Sequence, residues 1–314
     1  MHRRRATRPI TTTPNPAPTL TPILTPTLNP NPNPNRLYSV LLLALASTVS
    51  ALRVGAPATS VSRSRATQCS IAVFGASGGT GSEAVLQALE RGEDVTCLVR
   101  DRSKLKSPRS AAGFSADAPF VSDKLTVTQG SVTSKADVDA VFEGQGVTGV
   151  VVALGGKTKD VGPTMLQDGT ANIIAACKAN GVKRISVVTS IGVGDSMDQA
   201  PWAFRLLMMT VMSSIMADKN QQEDLFMPAG SAGAELEYCI VRPGGLNADP
   251  PNGIVNVISG EAGAISRADV AAFCLDAVLE EDFAFLKQAP CISSDKGSGF
   301  DSVLKDKTKS RMAQ

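Results

Sequence analysis

Three glycines spaced three residues apart, Gly75-x-x-Gly78-x-x-Gly81, are the strongest chemical signal in the sequence. The apolar segment 70–74 precedes them and a helical pattern begins at Ser82, which is the strand–turn–helix setting that gives such a motif meaning. Glycine allows a tight turn, lets backbone N–H groups approach phosphate oxygens, and lets the helix begin close to the sheet. The N-terminus of that helix adds partial positive charge. The motif therefore predicts a turn that binds the pyrophosphate of a dinucleotide.

The residues that follow the second predicted strand, 95–99, indicate which dinucleotide binds. Sites for NAD usually place an acidic side chain here, where it accepts a hydrogen bond from the ribose 2′-hydroxyl. This chain instead has Arg100, with Arg102 and Lys104 close by, and its Asp101 lies one residue past Arg100. An arginine can bind a phosphate through two parallel hydrogen bonds, and a lysine adds a point charge. We therefore predict NADP(H) rather than NAD(H).

The glycine turn and the basic residues after the second strand can be positioned together only if strands and helices alternate along the chain. We interpret residues 69–295, where this alternation is found, as one domain. Apolar, β-branched runs of four to eight residues alternate with amphipathic patterns of about ten. Strands that are apolar throughout are buried on both faces, so the pattern predicts an α/β fold, a Rossmann-like doubly wound parallel sheet. The predicted strands are 70–74, 95–99, 125–128, 147–154, 184–189, 237–242 and 289–293. The predicted helices are 82–91, 136–142, 168–179, 202–226 and 266–279, with a short helix and a loop over 103–120.

The predicted helix 202–226 is unusually apolar in its first part. Arg205 interrupts the apolar run, and Asp218 and Lys219 follow within a few residues. About 15 apolar residues fall short of the roughly 20 that span a bilayer, so no transmembrane span is expected. We interpret the segment as a core or interface helix. Membrane or protein docking through residues 202–217 is an alternative, and it requires that their apolar face be exposed.

Composition excludes several kinds of active site. The only histidine is His2, so residues 69–314 can form neither a His-based zinc site nor a Ser-His-Asp triad. The net charge of the whole chain is +2, but residues 1–68 alone carry about +8, so the remaining residues carry about −6. Because the predicted domain is mildly acidic, nucleic-acid binding is not expected. Four cysteines lie in apolar segments without any CxxC pair, so they are interpreted as core residues and no metal site is expected. They are Cys97, Cys177, Cys239 and Cys274.

Residues 1–68 differ from the rest and are interpreted as a disordered targeting leader. They contain eight arginines, no acidic residue and ten of the 19 prolines. The apolar segment within 37–51 is typical of a signal-peptide h-region, and the acid-free segment 52–68 is typical of a transit peptide. This order is similar to the bipartite leaders of algal plastids, so we predict a plastid (chloroplast) location, with mitochondrial or secretory targeting as alternatives. The C-terminal residues 296–314 are expected to form a loose tail.

Five stretches in chain order resemble the atypical short-chain dehydrogenases/reductases, close to the NmrA-like proteins and the flavin reductase/biliverdin-IXβ reductase type. They are IAVFGASGGTG, VTCLVRDRSKL, DGTANIIAACKANGVKRISVVTS, EYCIVRPGGL and AISRADVAAFCLDAV. The resemblance implies a pyrophosphate turn, a 2′-phosphate site, an adenosine side and a nicotinamide border. The residues are, in that order, Gly75, Ser77, Gly78, Gly79, Thr80 and Gly81; Arg100 and Lys104; Leu154 and Gly155; and Thr189, Ser190, Pro243, Gly244, Gly245 and Leu246. The family often has Gly-Asp after its third strand, where this chain has Gly130-Ser131.

The acid of the better-known short-chain dehydrogenases is missing. They use Tyr-x-x-x-Lys, in which the lysine lowers the pKa of the phenol. Here the residue four before Lys219 is Ile215, and Tyr238 lies within a predicted strand. We therefore expect no carbonyl–alcohol chemistry through a phenol, but hydride transfer to a small conjugated acceptor (flavin, quinone or tetrapyrrole-like) with Ser190 and Lys219 as candidate catalytic residues. The alternative is a non-catalytic NADP(H)-sensing or assembly protein of the NmrA-like type.

Overall fold

The computed structural model describes residues 70–108, 118–155 and 162–294. These residues belong to one compact unit. The predictions for the leader 1–68, for the tail 296–314 and for the middle of the segment 103–120 lie outside the described residues. The domain boundaries at 69 and 295 therefore stay predictions.

The described chain forms ten strands and six α-helices, numbered here in chain order. The strands are β1 Ser70–Phe74, β2 Asp94–Val99, β3 Leu125–Gln129, β4 Val147–Val152, β5 Arg184–Val188, β6 Glu237–Pro243, β7 Gly245–Asn247, β8 Asn256–Ile258, β9 Ala264–Ser266 and β10 Cys291–Ser293. The helices are α1 Gly79–Glu90, α2 Lys135–Phe142, α3 Met165–Ala179, α4 Trp202–Met209, α5 Ser213–Asp224 and α6 Arg267–Leu279.

Eight strands form one sheet in the order β3-β2-β1-β4-β5-β6-β10-β8. All neighbouring strands in it are parallel except β10 and β8, and the short strands β7 and β9 pair separately. This arrangement confirms the predicted Rossmann-like parallel sheet. The strand order reverses between β1 and β4, and the crevice beyond the carboxyl ends of two such strands is where open α/β sheets bind ligands.

The central strand β1 shows why the sheet needs helices on both faces. All five of its residues are buried, and successive side chains point to opposite sides. Ile71 and Val73 pack with α1 and α6, whereas Ala72 and Phe74 pack with α2 and α3. The cysteines predicted to be core residues are also buried, which confirms that interpretation: Cys97, Cys177, Cys239 and Cys274.

The prediction of one helix over 202–226 was wrong, because the chain forms α4 and α5 with a break between them. At the break Thr210 leaves the helical region, with φ −111° and ψ −82°. Its hydroxyl donates a hydrogen bond to the carbonyl of Leu206 at 2.8 Å, and the N–H of Met212 donates to the carbonyl of Leu207 at 3.1 Å. A β-branched hydroxyl residue competes in this way with the backbone hydrogen bonds of a helix. Helix α5 can therefore take its own direction.

Helix α4 exposes most of its apolar side chains. Trp202, Leu206 and Met209 are 60–77% exposed at helical spacing, and Met208 is the one fully buried residue of the helix. The requirement set by the docking hypothesis, an exposed apolar face, is therefore met, and docking itself stays a prediction. Within the described ranges, every helix is too short or too polar to cross a membrane.

Candidate functional site

A cleft of about 760 Å³ lies at the carboxyl ends of the central strands. That volume is within the range of roughly 300–1,000 Å³ that is usual for small-molecule and cofactor sites. Most of the residues predicted for the site line it: Gly75, Ser77, Gly78, Gly79, Thr80, Arg100, Lys104, Leu154, Gly155, Thr189, Ser190, Lys219 and Leu246. The cleft therefore brings together predicted site residues that are up to 171 positions apart in the chain.

Four predicted cofactor-binding residues do not line the cleft: Gly81, Pro243, Gly244 and Gly245. A Cβ atom at Gly81 would collide with the carbonyl of Gly75, so this glycine lets α1 begin against β1 rather than facing a ligand. Gly244 has a similar role, because a Cβ there would collide with the carbonyl of Gly263. The structure places these four residues outside the cleft lining, and their contact with a cofactor stays a prediction.

The turn between β1 and α1 has the geometry of a phosphate cradle. Gly75 has φ +85°, which favours glycine, and a Cβ on it would meet the carbonyl of Ala153, the residue directly after β4. The N–H of Gly78 donates to the carbonyl of Gly75 at 2.9 Å, which closes the turn. Gly78 caps α1 without a side-chain hydrogen bond, and no acidic residue lies in the first turn of the helix. The positive end of the helix dipole therefore reaches the cleft with no side chain neutralising it, and the turn fits a pyrophosphate.

Arg100 and Lys104 line the cleft at the end of β2, whereas their charged neighbours point elsewhere. The carboxylate of Asp101 accepts hydrogen bonds from the N–H and the hydroxyl of Ser103, at 2.9 and 2.7 Å, and these bonds lower the pKa of Asp101. Arg102 donates to the carbonyl of Val127 on β3. The basic side chains therefore face the cleft at this end, and neither Asp101 nor Arg102 is among its lining residues.

The segment after β3 lines the same end of the cleft through residues 130–133. Where the family often has an aspartate, this chain has Ser131, which carries no carboxylate. Instead Asp137, in the first turn of α2, accepts a hydrogen bond from the N–H of Ser131 at 2.8 Å. The Asp137 carboxylate therefore holds the loop in place. The family comparison pointed to Gly130-Ser131, but no residue of this loop was among the predicted cofactor-binding residues.

Thr189, Ser190 and Lys219 meet at the other end of the cleft, beyond β5. The amine of Lys219 donates a hydrogen bond to the backbone carbonyl of Thr189 at 3.1 Å. The hydroxyl of Thr189 donates to Glu223 at 2.6 Å, and that of Ser190 to the carbonyl of Ile191 at 3.0 Å. This end of the cleft therefore presents one amine and one hydroxyl.

Burial lowers the pKa of Lys219 from its usual value to about 8, although the negative charges of Glu223 and Asp218 oppose this shift. An amine with this pKa is mostly protonated at neutral pH and gives up its proton far more easily than an ordinary lysine. Lys219 is therefore suited to general acid–base chemistry.

Buried polar contacts fix helix α5, which carries Lys219. The carboxylate of Asp218 accepts hydrogen bonds from the backbone N–H groups of Leu166 and Gln167 at the start of α3, both at 2.9 Å. One turn later, Gln222 donates to the hydroxyl of Thr170 at 2.8 Å. These contacts hold α5 on α3 and place Lys219 at the cleft.

A second set of contacts ties α5 to β6 through a buried ion pair. Arg242 donates to both carboxylate oxygens of Glu223, at 3.0 and 2.6 Å, and to Asp195 at 2.6 Å. Glu223 and Arg242 are each 3% exposed. Burial alone would lower the pKa of Arg242, but the hydrogen bonds and charges of the two carboxylates outweigh it and raise the pKa. Because Glu223 also accepts from Thr189, the ion pair orients the backbone that Lys219 contacts.

The position of the missing tyrosine is filled by an apolar side chain. Ile215 lies one turn before Lys219 on α5 and lines the cleft. Tyr238 is buried in β6, where its ring packs on Phe226 at a centroid distance of 5.4 Å, and it is not among the lining residues. The phenol of Tyr238 is therefore not available at the site.

Arg267 is the functional candidate that the sequence reasoning missed. It is the first residue of α6 and lines the cleft beside the glycine turn. The sequence predicted a helix over 266–279, and in the structure Ser266 caps α6 by accepting a hydrogen bond from the N–H of Asp269. The sequence did contain one signal, which is an arginine in the first turn of a predicted helix. Because the helix dipole disfavours positive charge at that end, an arginine there suggests a role other than stabilising the helix.

The parallel sheet, the glycine turn at its switch point and the cleft together define a Rossmann-type dinucleotide-binding protein. A sequence profile described as NAD(P)H-binding matches residues 75–281, and the chain belongs to this NAD(P)H-binding family. The match confirms the resemblance to the atypical short-chain dehydrogenases/reductases.

Two plant proteins and two solved structures illustrate the similarity. The chain is 31% identical over 224 residues to an uncharacterized chloroplastic protein of Arabidopsis thaliana, covering 68% of this chain and 73% of that protein. It is 26% identical over 199 residues to the chloroplastic protein TIC 62 of Oryza sativa subsp. japonica, covering 61% of this chain but only 38% of that protein. The fold is similar to that of ChuY, an anaerobilin reductase from Escherichia coli O157:H7 (23% identity, TM-score 0.54, 73% and 98% of the two chains). It is also similar to a short-chain dehydrogenase/reductase from Veillonella parvula in complex with NADP (17% identity, TM-score 0.56, 72% and 95%).

Proposed function

We propose that the protein is an NADPH-dependent oxidoreductase that transfers a hydride to a small conjugated acceptor, such as a flavin, a quinone or a tetrapyrrole. The observation that carries this proposal is that one cleft has a pair of cations at one end and an amine beside a hydroxyl at the other. Arg100 and Lys104 lie at the end of β2, and Ser190 and Lys219 lie beyond β5. Strands β2 and β5 are three positions apart in the sheet, or about 14 Å. A dinucleotide laid across the glycine turn would have its 2′-phosphate at one end and its nicotinamide at the other.

The preference for NADPH over NADH rests on the charges at the end of β2. Arg100 and Lys104 face the cleft, and the one carboxylate in this segment, that of Asp101, is engaged by Ser103. A ribose 2′-hydroxyl would therefore find no acidic acceptor at this position, whereas a 2′-phosphate would find two cations.

The chain's own residues would orient the acceptor and provide a proton. Bound NADPH supplies a hydride, so the acceptor gains two electrons and one proton and needs one further proton for a neutral product. The Lys219 ammonium can donate that proton and is then restored from solvent. The Ser190 hydroxyl, just beyond β5, can exchange its hydrogen bond to the carbonyl of Ile191 for one to a carbonyl or ring nitrogen of the acceptor. A conjugated acceptor spreads the incoming charge, which is why the absence of a phenol at position 215 is compatible with turnover.

A plastid location is part of the proposal. It is supported by the leader-like composition of residues 1–68 and by the chloroplastic descriptions of both plant relatives. Expression of the full chain with a C-terminal fluorescent protein should give plastid fluorescence. Fluorescence in mitochondria or along the secretory route would support the corresponding alternative instead.

The competing function is an NADP(H)-sensing or assembly protein without turnover. The observation that favours it is Ile215, an apolar side chain at the cleft position where related dehydrogenases have their acid. Titration of the full chain with NADPH and NADH, followed by NADPH oxidation assays with FMN, a short-chain quinone and biliverdin, separates the two functions. Tight NADPH binding without turnover on any acceptor supports the sensor, and failure to bind either dinucleotide contradicts both functions.

The pH dependence of turnover tests the role of Lys219. Because burial lowers the pKa of Lys219 to about 8, the protonated amine is present below that pH and is lost above it. We expect the rate with a saturating acceptor to fall by about ten-fold per pH unit above pH 8 when proton transfer limits the rate. The Lys219→Arg variant keeps its charge over this range and should lose the decline near pH 8, whereas Lys219→Met should be slow at every pH. If the turnover rate still falls above pH 8 in both variants, the group that titrates there is not Lys219.

A further inference from the structure

The side chain of Arg267 lies directly across the phosphate turn. An alanine Cβ placed at Gly79 would lie 2.6 Å from the Cδ atom and 2.9 Å from the Nε atom of Arg267. Gly79 is the first residue of α1 and its φ angle is not positive, so what this position requires is space rather than an unusual backbone. Glycine at position 79 therefore admits the arginine, and the arginine lines the cleft at the point where α1 begins.

The guanidinium of Arg267 has no carboxylate partner among the described residues. Four other arginines in that part of the chain form ion pairs: Arg91, Arg184, Arg205 and Arg242. Arg267 instead donates one hydrogen bond, at 2.8 Å, to the backbone carbonyl of Asn247. A guanidinium has five N–H donors, and its planar fork matches the geometry of a phosphate. Donors remain for an anion at the cleft.

The backbone around Arg267 is anchored on both sides. On α6 the carboxylate of Asp269 accepts hydrogen bonds from the N–H groups of Asn252 and Gly253, at 3.2 and 3.0 Å, and from the hydroxyl of Ser266 at 2.7 Å. The tip of the arginine is held by Asn247, at the end of β7. The side chain is therefore preorganised, which reduces the entropy lost when it binds a ligand.

We propose that Arg267 is a phosphate-binding residue that closes over the pyrophosphate of the bound dinucleotide from the α6 side of the glycine turn. This inference rests on the proposed function. NADPH and NADH share the pyrophosphate, so Arg267 contributes to the affinity for both, whereas Arg100 and Lys104 contribute only to that for NADPH. Arg267 does not contribute to the affinity for a ligand that carries the 2′-phosphate without a pyrophosphate, such as adenosine 2′-monophosphate.

Titration calorimetry on the full-length Arg267→Gln variant tests this assignment. We expect the dissociation constants of NADPH and NADH to rise together by about ten-fold, because a hydrogen bond to a charged group is lost, and that of adenosine 2′-monophosphate to stay within about two-fold. Circular dichroism and the melting temperature check the fold. Unchanged binding of both dinucleotides, or a loss confined to NADPH, overturns the assignment while leaving the proposed function in place. A wild-type protein that binds neither dinucleotide overturns the proposed function first.

A second variant displaces the arginine without removing its charge. Gly79→Ala should push the Arg267 side chain out of its position and should also weaken NADPH and NADH by about ten-fold. In the Arg267→Ala background the added methyl group has nothing to displace, so the double variant should bind both dinucleotides about as well as Arg267→Ala alone. Additive losses in the double variant would mean that alanine damages the turn itself, and they would contradict the contact on which the proposal depends.

Discussion

Replacing Arg100 by glutamate is expected to reverse the choice of dinucleotide. The affinity for NADPH should fall by about 100-fold or more, because the variant replaces a phosphate-binding cation by an anion beside the 2′-phosphate. The affinity for NADH should hold or improve, since a carboxylate at the end of the second strand is the usual acceptor for the ribose 2′-hydroxyl. Fluorescence titrations of both dinucleotides at one fixed ionic strength measure the two constants.

Arg102→Glu is the matched control for this reversal. It makes the same charge change two residues further on, but Arg102 bonds to the carbonyl of Val127 and does not line the cleft. The ratio of the two affinities should move by no more than about three-fold in this variant, because exposed charges at a distance are screened by salt. Equal shifts in both variants would indicate a general field effect and would contradict a specific 2′-phosphate site at Arg100.

Loss of the Glu223 carboxylate is expected to be the most destabilising single charge change in the described chain. In Glu223→Gln the guanidinium of Arg242 stays buried but loses its buried counter-ion, which typically costs about 3–5 kcal/mol of unfolding free energy. Urea unfolding monitored by circular dichroism at neutral pH measures the change. Because Thr189 also bonds to Glu223, the same variant should disturb the position of Lys219 and lower turnover.

Asp195→Asn provides the comparison for the buried pair. Asp195 bonds to the same arginine at 2.6 Å, but its side chain is 85% exposed. The loss of such a solvent-exposed ion pair should cost less than about 1 kcal/mol. If the two substitutions were equally destabilising, burial of the Glu223–Arg242 pair would not be the cause.

The sheet and the phosphate turn could be predicted from the sequence because both depend on local patterns. The apolar strand 70–74 matches β1 residue for residue, and the glycine spacing identifies the turn that follows it. The basic residues Arg100 and Lys104 could be placed since they follow the second strand directly. Each of these inferences needs only residues that are close together in the chain.

The remaining parts of the site depend on contacts between distant residues, which no local pattern reveals. Asp218 holds the start of α3 from 51 to 52 residues away, and Arg267 reaches a turn more than 180 residues before it. The break at Thr210 was missed for a different reason: threonine is compatible with a helix, and the break is visible only in the backbone angles of Thr210 and in its hydrogen bonds. The short strands β7, β8 and β9, with three residues each, are below the length at which alternation can be recognised.

The contact between Gly79 and Arg267 constrains how this protein family can diverge. The arginine occupies the space where any larger residue at position 79 would put its first carbon, so a larger residue there requires the arginine side chain to move. Relatives with alanine or serine in the turn should have a shorter or differently directed side chain at the start of the last helix. Since paired substitutions of this kind mark residues that touch, the two positions should covary among relatives despite their separation along the polypeptide.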